Sequence, residues 1–455
     1  MPGTPRIAVV GSGPGGFYAA EALLRAIPDC RIDMIERLPT PHGLVRYGVA
    51  PDHQKLKQVA AVFDTIARDP RFTLHAGVHV GDDVSLQALM SRCHAVVLAT
   101  GSAVGRTLGV PGETLPQVYA SAEFVGWYNG HPDHVALHPD LRGARAAVIG
   151  NGNVALDVCR LLVRPFDDLR TSDIPAPMLV GFEQRGVREV HMIGRSSVTA
   201  TRFTFKEFRQ LAELAGVQVR VPQAAQWPEA MWSGAASDDA ARVAQWLRAN
   251  ACAAVRPQDI VVNFWFDAVP TAFSGAHRVA GVALASASPV VTVPDVLACD
   301  LAFTCIGYES HVVPGVPTDL RTGRVRHRSG QVVDADGAEV AGLFVTGWLK
   351  RGPTGIIGTN RADGLETAGA LVQRLTSLVE RIPADAPTLA SLLGARPVTP
   401  LSYAQWLELD RWEKARGALL GKPREKLLSM RDAIKVLRSN AAMQRSREGA
   451  DESAV

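Results

Sequence analysis

The sequence predicts an α/β chain of two doubly wound, three-layer units, the second inserted into the first. Three observations carry this reading. A strand runs into a glycine-rich turn and then an apolar helix twice, at 6–26 and again at 145–162. Two buried strand-like runs, Cys93–Gly101 and Gly342–Gly347, read as strands of one sheet parted by everything between them. The length, 455 residues, is more than one core needs.

The composition bounds the function. Apolar residues make up 47% and charged residues 20%, as in soluble globular proteins. A net charge of +3 argues against wholesale nucleic-acid binding. No apolar run reaches the roughly 18 residues of a membrane span. The opening "MPGTP" leads almost directly into a strand, without the pattern of a signal peptide or presequence, which points to the cytoplasm. Cysteines stand at 30, 93, 159, 252, 299 and 305, with no C-x-x-C pair. They read as buried structural thiols, and no metal site is expected.

The first turn begins with the buried strand "RIAVVG". In "GSGPGG", Gly11, Gly13 and Gly16 fit G-x-G-x-x-G, with Pro14 opening the helix. Gly11 permits the tight turn, Gly13 lets a pyrophosphate approach, and Gly16 lets helix pack on strand. The helix N-terminus offers unpaired N–H groups to phosphate. The second strand, "RIDMIER", ends in Glu36, whose carboxylate suits a ribose and repels a 2′-phosphate. The site therefore fits FAD or NAD. Strand, glycines, helix, strand and acid in order form a specific signal.

The second turn has Gly150, Gly152 and Ala155 as G-x-G-x-x-A. Its second strand, "REVHMIGRSS", ends in Arg195 where the first site has Glu36. An arginine there pairs with the 2′-phosphate of NADP, or is a solvated surface residue; its place after this strand favours the former. The two turns together imply two Rossmann-like three-layer nucleotide-binding domains, an NADP domain inserted into an FAD domain. Facing each other, such domains can bring nicotinamide to flavin.

The segments "VVGSGPGGFYAAEALL", "PHGLVRYGVAPDHQ", "VYASAEFVGWYNGHP", "IGNGNVALDVCRLL" and "GWLKRGPTGIIGTN" resemble the adrenodoxin reductase-like ferredoxin–NADP reductases, including their bacterial members. The tail "WLELDRWEKARGALLGKPREKL" is similar to their C-terminal segment. The resemblance implies that Gly43, Leu44, Val80 and Gly101 line FAD with the first turn, and that Glu36 holds its ribose. It places Trp348 beside the flavin, and Gly355, Ile356 and Ile357 at a helix start facing the flavin pyrimidine. There, N–H groups stabilise negative charge on the reduced ring. It assigns Asn151, Asn153, Val154, Arg195, Ser196 and Glu207 to NADP. His53 and Asp157 match a polar catalytic pair; on their own they read equally as a helix-start histidine and a helix-surface carboxylate. The family has a second arginine where this chain has Ser196, so NADPH preference is expected to weaken about tenfold. Arg202, in "TATRFTF", is a candidate to compensate.

Electrons given to the flavin need an exit. The chain has neither a dithiol nor a set of cluster-binding cysteines. The resemblance implies a separate ferredoxin-type iron–sulfur protein, docked transiently and electrostatically on a monomer. Arg209 matches a basic docking position, while the stretches around Arg242 and Arg248 depart from the family. The Lys- and Arg-rich stretch from Arg411 to Arg447 is a second basic surface, although such a run is usually a solvated face. Within it "KPREKLLSMRDAIKVLRS" reads as an amphipathic helix, and "SREGADESAV" as a frayed tail.

The expected boundaries are 1–107 and 341–455 for the FAD domain and 108–340 for the NADP domain. The Ala-rich stretch 223–255 reads as helical. A flavin oxidase or monooxygenase, a diaphorase without a protein partner, and a non-enzymatic redox sensor remain open as other readings.

Overall fold

The computed structural model describes residues 4–250, 256–310, 313–319, 321–383, 386–394 and 399–452. The chain folds as two units, one of Met1–Val49, His53–Val104 and Glu309–Val455, the other of Ala50–Asp52 and Gly105–Tyr308.

The first unit opens with strand β1 (Arg6–Val10), helix α1 (Pro14–Ala26) and strand β2 (Arg31–Glu36). Helices α2 (Leu44–Tyr47) and α3 (Ala60–Ala67) lead to β3 (Phe72–Ala76) and β4 (Ala95–Leu98). The β-branched run of β1 is buried on both faces, as a central parallel strand must be. Ile7 and Val9 join the core under α1, while Ala8 and Val10 join the core on the other side of the sheet.

The second unit follows. Strand β5 (Val118–Ala120) precedes β6 (Arg145–Ile149), helix α4 (Asn153–Val163) and β7 (Glu189–Ile193). Helix α5 (Phe205–Ala212), β8 (Val217–Arg220), helix α6 (Asp238–Asn250), β9 (Ile260–Trp265) and β10 (Leu301–Thr304) complete it. Its sheet has the order β5-β10-β6-β7-β9-β8 and every pairing is parallel. An antiparallel three-stranded sheet lies between β9 and β10 in the chain.

The first unit then resumes with β11 (His327–Arg328), β12 (Gln331–Val333) and β13 (Glu339–Val345). Helices α7 (Trp348–Arg351), α8 (Thr359–Val372), α9 (Tyr403–Leu419) and α10 (Met430–Glu452) follow. The strand order is β11-β12-β13-β4-β1-β2-β3. β13 pairs in parallel with β4, Phe344 opposite Val97, so the two distant runs do share one sheet. α8 packs on α1 so tightly that a Cβ on Gly364 would lie 2.7 Å from Ala19 N.

Several expectations need correction. The insert ends at Tyr308, not at residue 340. β11 and β12 are short, but they pair antiparallel onto β13 and so belong to the first sheet. The Ala-rich stretch is helical over Asp238–Asn250, with two short 3-10 turns before it; residues 251–255 lie outside the described ones. The tail helix starts at Met430, because 422–429 are held in an irregular conformation by their ion pairs. It runs on to Glu452, through most of the stretch expected to fray; its last residues, 453–455, lie outside the described ones. The five described cysteines, 30, 93, 159, 299 and 305, are buried and free, and burial raises each thiol above its usual pKa. Cys252 lies outside the described residues. Among the described residues no helix is long and apolar enough to cross a membrane.

Candidate functional site

Both glycine turns form at the carboxyl ends of parallel strands, where open α/β sheets bind ligands. In the first unit Gly11 has φ +105°, and a Cβ there would lie 2.5 Å from Ala99 O. A Cβ on Gly16 would overlap Gly11 O, so only glycine lets α1 sit this close. A Cβ on Gly13 would meet nothing within 4 Å, which leaves an open cradle at the start of α1. Pro14 is the first helical residue, where its missing N–H costs nothing.

Glu36 ends β2, buried and already hydrogen-bonded. Its Oε2 accepts from Ser12 N at 3.0 Å and Ser12 Oγ at 2.6 Å, and its Oε1 accepts from Leu38 N at 2.8 Å. The carboxylate thus ties the glycine turn to the end of the second strand. Gly43, with φ +49°, brings a second backbone segment to the turn: a Cβ there would lie 2.9 Å from Gly13 Cα. His42 N donates to Ser12 O at 3.0 Å in the same crossing. Leu44 starts α2, Val80 is buried in an isolated bridge with Val84, and Gly101 follows β4 with open space at its Cα.

The segment after β13 is pinned by a residue that sequence reading did not single out. Asp363, on α8, accepts from Gly347 N at 2.7 Å and pairs with Lys350 Nζ at 2.7 Å and with Arg351. Arg351 also donates to Asn360 Oδ1 at 3.0 Å. This fixes α7 and Trp348, whose Nε1 donates to Thr354 O at 3.1 Å. Gly355, Ile356 and Ile357 are not yet helical: α8 begins at Thr359, and the φ of +85° at Gly355 is incompatible with a helix. Ile356 is 77% exposed, an apolar side chain in solvent beside this turn.

In the second unit Gly150 repeats Gly11, with φ +140° and its Cβ direction blocked by Cys305 O. Gly152 repeats Gly13, with nothing within 4 Å. The third position carries Ala155, buried in α4, so this turn has room for a methyl group that the first lacks. Asn153 Oδ1 accepts from Thr204 N at 3.0 Å and Asn151 O accepts from Arg202 N at 3.1 Å, which brings the stretch after β7 back to the turn. Val154 is half-buried in the first turn of α4. Arg195 and Arg202 are both exposed, and Ser196 is half-buried. No acid caps this strand end.

His53 belongs to the first unit and precedes the short helix 54–57. Asp157 and Glu207 belong to the second and meet at a residue the sequence reading missed, Arg160. Arg160 is fully buried. Its Nη2 pairs with Asp157 Oδ1 at 2.7 Å, its Nη1 lies 3.6 Å from Glu207 Oε2, and its Nε and Nη2 donate to Asp52 at 2.7 and 3.0 Å. The carboxylates outweigh burial and hold its guanidinium well above its ordinary pKa. Asp157 is therefore no free surface carboxylate. A signal was available: Arg160 stands three positions after Asp157 on a helix otherwise buried by Ala155, Leu156, Val158, Cys159 and Leu162, and a charge there needs partners.

The expected docking arginines are partly neutralised. Arg209 pairs with Glu213 at 2.6 Å, Arg248 pairs with Glu229 at 2.7 Å, and Arg242 stacks on Phe205, 4.3 Å from the ring centroid.

Residues 5–223 match the family of pyridine nucleotide-disulphide oxidoreductases. The chain is 38% identical to the NADPH-ferredoxin reductase FprA of Mycobacterium tuberculosis, over 94% of this chain and 98% of that one. It is also 38% identical to the mitochondrial NADPH:adrenodoxin oxidoreductase of Bos taurus, over 95% of this chain and 92% of that one. The solved structure of Mycobacterium tuberculosis FprA in complex with NADPH superposes with a TM-score of 0.87 at 36% identity, covering 96% of this chain and 99% of that one. The chain belongs to the family of NADPH-ferredoxin and NADPH:adrenodoxin reductases.

Proposed function

We propose that the protein is an FAD-dependent NADPH:ferredoxin reductase. The observation that carries this reading is the pair of glycine turns with opposite charge at the end of the second strand, Glu36 in one and Arg195 with Arg202 in the other. The open cradle at Gly13, the crossing of Gly43 and the buried Glu36 fit the pyrophosphate and ribose of FAD. The open cradle at Gly152 and the exposed arginines fit NADPH. The first unit is then the FAD domain and the second the NADP domain.

When bound, FAD would supply the redox chemistry, hydride acceptance from NADPH and single-electron transfer to an acceptor. The protein's own work is placement and electrostatics. The N–H groups at the starts of α1 and α4 hold the two pyrophosphates. Glu36 orients the FAD ribose, and Arg195, helped by Arg202, holds the 2′-phosphate. Asp363 fixes the segment that carries Trp348. Ile357, in the turn before α8, would offer its N–H to the flavin pyrimidine, while Ile356 N donates to Thr359 Oγ1 at 3.2 Å. Asp157 and Glu207 would supply polar groups to the nucleotide site of the second unit, and His53 a polar group to the flavin site of the first.

The described cysteines are free and buried, so no dithiol among them receives the electrons. They leave to a separate iron–sulfur protein. Docking is transient and electrostatic on a monomer, with the exposed basic residues Arg431, Lys435 and Arg438 of α10 as the available positive charge.

The test is cytochrome c reduction by the purified protein with NADPH, with and without a panel of ferredoxins. Strong stimulation by one ferredoxin, weakened by salt, is the expected result. Rapid peroxide formation without stimulation by any of them would favour a flavin oxidase.

A further inference from the structure

Three carboxylates of the second unit converge on Arg160. Asp157 comes from its own helix, α4, and Glu207 from α5. Asp52 comes from the three-residue excursion Ala50–Asp52, which the chain makes into this unit between two stretches of the other. Asp52 takes a two-point contact from Arg160, Nε to Oδ2 at 2.7 Å and Nη2 to Oδ1 at 3.0 Å, and a further one from Arg164 Nη1 at 3.0 Å. Those contacts explain why so short a segment belongs to the second unit. The residue after Asp52 is His53.

A planar guanidinium suits this task, because its donors leave in fixed directions. Lysine, a point charge with rotatable donors, cannot reproduce the two-point contact with Asp52 while also reaching Asp157 and Glu207. Burial sharpens the requirement: Arg160 is fully buried, so a donor turned away from its carboxylate finds no water to replace it.

We propose that Arg160 is a positioning residue for electron transfer from NADPH, fixing the carboxylates of Asp157 and Glu207 and, through Asp52, the backbone that carries His53. The inference rests on the reductase reading above and adds a residue to it. Arg160 acts through the groups it holds.

The experiment compares the wild-type holoprotein with Arg160→Lys and Asp52→Asn. Four quantities are read: FAD per chain, the dissociation constant for NADP+, the hydrogen exchange of the Asp52 and His53 amides, and the single-turnover rate of flavin bleaching by saturating NADPH. Arg160→Lys is expected to keep its FAD and to bind NADP+ within about threefold of wild type, since Arg195 and the Gly152 cradle are untouched. Its Asp52 and His53 amides exchange faster, and its bleaching rate falls on the order of 10- to 100-fold, the size of effect that misplacement by about 1 Å produces. Asp52→Asn, which keeps the shape but loses the charge, falls about tenfold with the same faster exchange.

Unchanged bleaching rates per bound FAD in both variants would overturn the proposal. So would a loss of rate that only tracks loss of FAD or of thermal stability, the mark of a purely structural ion cluster. If Arg160→Lys does not fold, Asp52→Asn decides alone. The two readings fail separately. A wild type whose flavin is bleached by NADPH but which reduces no ferredoxin contradicts the reductase reading; a normal wild type with unaffected variants contradicts only the role of Arg160.

Discussion

The two glycine turns of this chain share a plan and differ in how finished they are. In the first, the carboxylate at the end of the second strand is buried and bonded back to the turn by Ser12 and Leu38, and a second backbone segment, His42–Gly43, crosses over it. In the second, the corresponding strand end carries an exposed arginine and a half-buried serine, and the turn has room for Ala155. A turn whose acid is buried and fully hydrogen-bonded suits a nucleotide that stays. A turn whose charged contact reaches into water suits one that comes and goes. The same motif thus serves a resident cofactor and an exchanging substrate through what surrounds the glycines.

The sharpest way to break the comparison is at the third glycine. Gly16→Ala places a methyl group onto Gly11 O, so the purified protein is expected to be colourless, with FAD binding weakened more than about 100-fold. Gly152→Ala, in open space, is expected to leave FAD in place and to weaken only NADP+ binding. FAD absorbance per chain checks both.

Next in size is the lock behind the first turn. Arg46, two residues after Leu44, is buried against Glu413 of α9, at 2.8 and 2.5 Å. Glu413 also accepts from Arg424 at 3.0 Å and from Leu427 N at 2.9 Å, so the C-terminal segment is stapled to α2. Glu413→Gln strands a buried arginine and should lower unfolding free energy by about 3–5 kcal/mol in urea melts, a cost that removing one partner of a buried pair incurs.

The second turn responds in nucleotide choice. Arg195→Ala should weaken NADPH binding roughly 10- to 100-fold and leave NADH almost unchanged, since one charge-assisted contact to phosphate is worth about 1.5–3 kcal/mol. Ser196→Arg should move the ratio the other way, by about tenfold. Titration calorimetry with both nucleotides reads the ratio directly.

The smallest effect is a pH dependence in the first unit. His42 is buried among Phe17, Phe63 and Trp406. Burial lowers its pKa below the ordinary 6.5; its contact with Asp64 opposes this, and Arg46 and Arg424 reinforce it. The folded state therefore holds His42 neutral, while the unfolded chain takes up a proton near pH 6.5. Stability from this site is complete above that pH and is lost as pH falls below it. His42→Phe should flatten the part of the fall in melting temperature that this site causes between about pH 7 and pH 5.5.

What could be read from the sequence was local. Strand, glycines, helix and the residue ending the next strand lie within about thirty residues in the first turn and about fifty in the second, and each has one physical meaning. The far boundary of the insert was not local. Strands 327–328 and 331–333 are only two and three residues long, and only the chain of pairings from 327–328 through 331–333 to β13 assigns them to the first sheet. The excursion at 50–52 was equally hidden, because its cause is Arg160, more than a hundred residues away. Asp363 escaped for the same reason: the donors it collects, from Gly347, Lys350 and Arg351, meet it only once α8 folds back on the segment after β13.

The most direct measurement of the division between the turns is to pass the purified protein through gel filtration after incubation with excess NADP+ and to count the nucleotides that remain. A buried, satisfied acid at the first turn and an exposed arginine at the second require about one FAD per chain and almost no NADP+, with NADP+ rebinding reversibly on addition. FAD lost on the column, or NADP+ retained as tightly as FAD, would contradict that division.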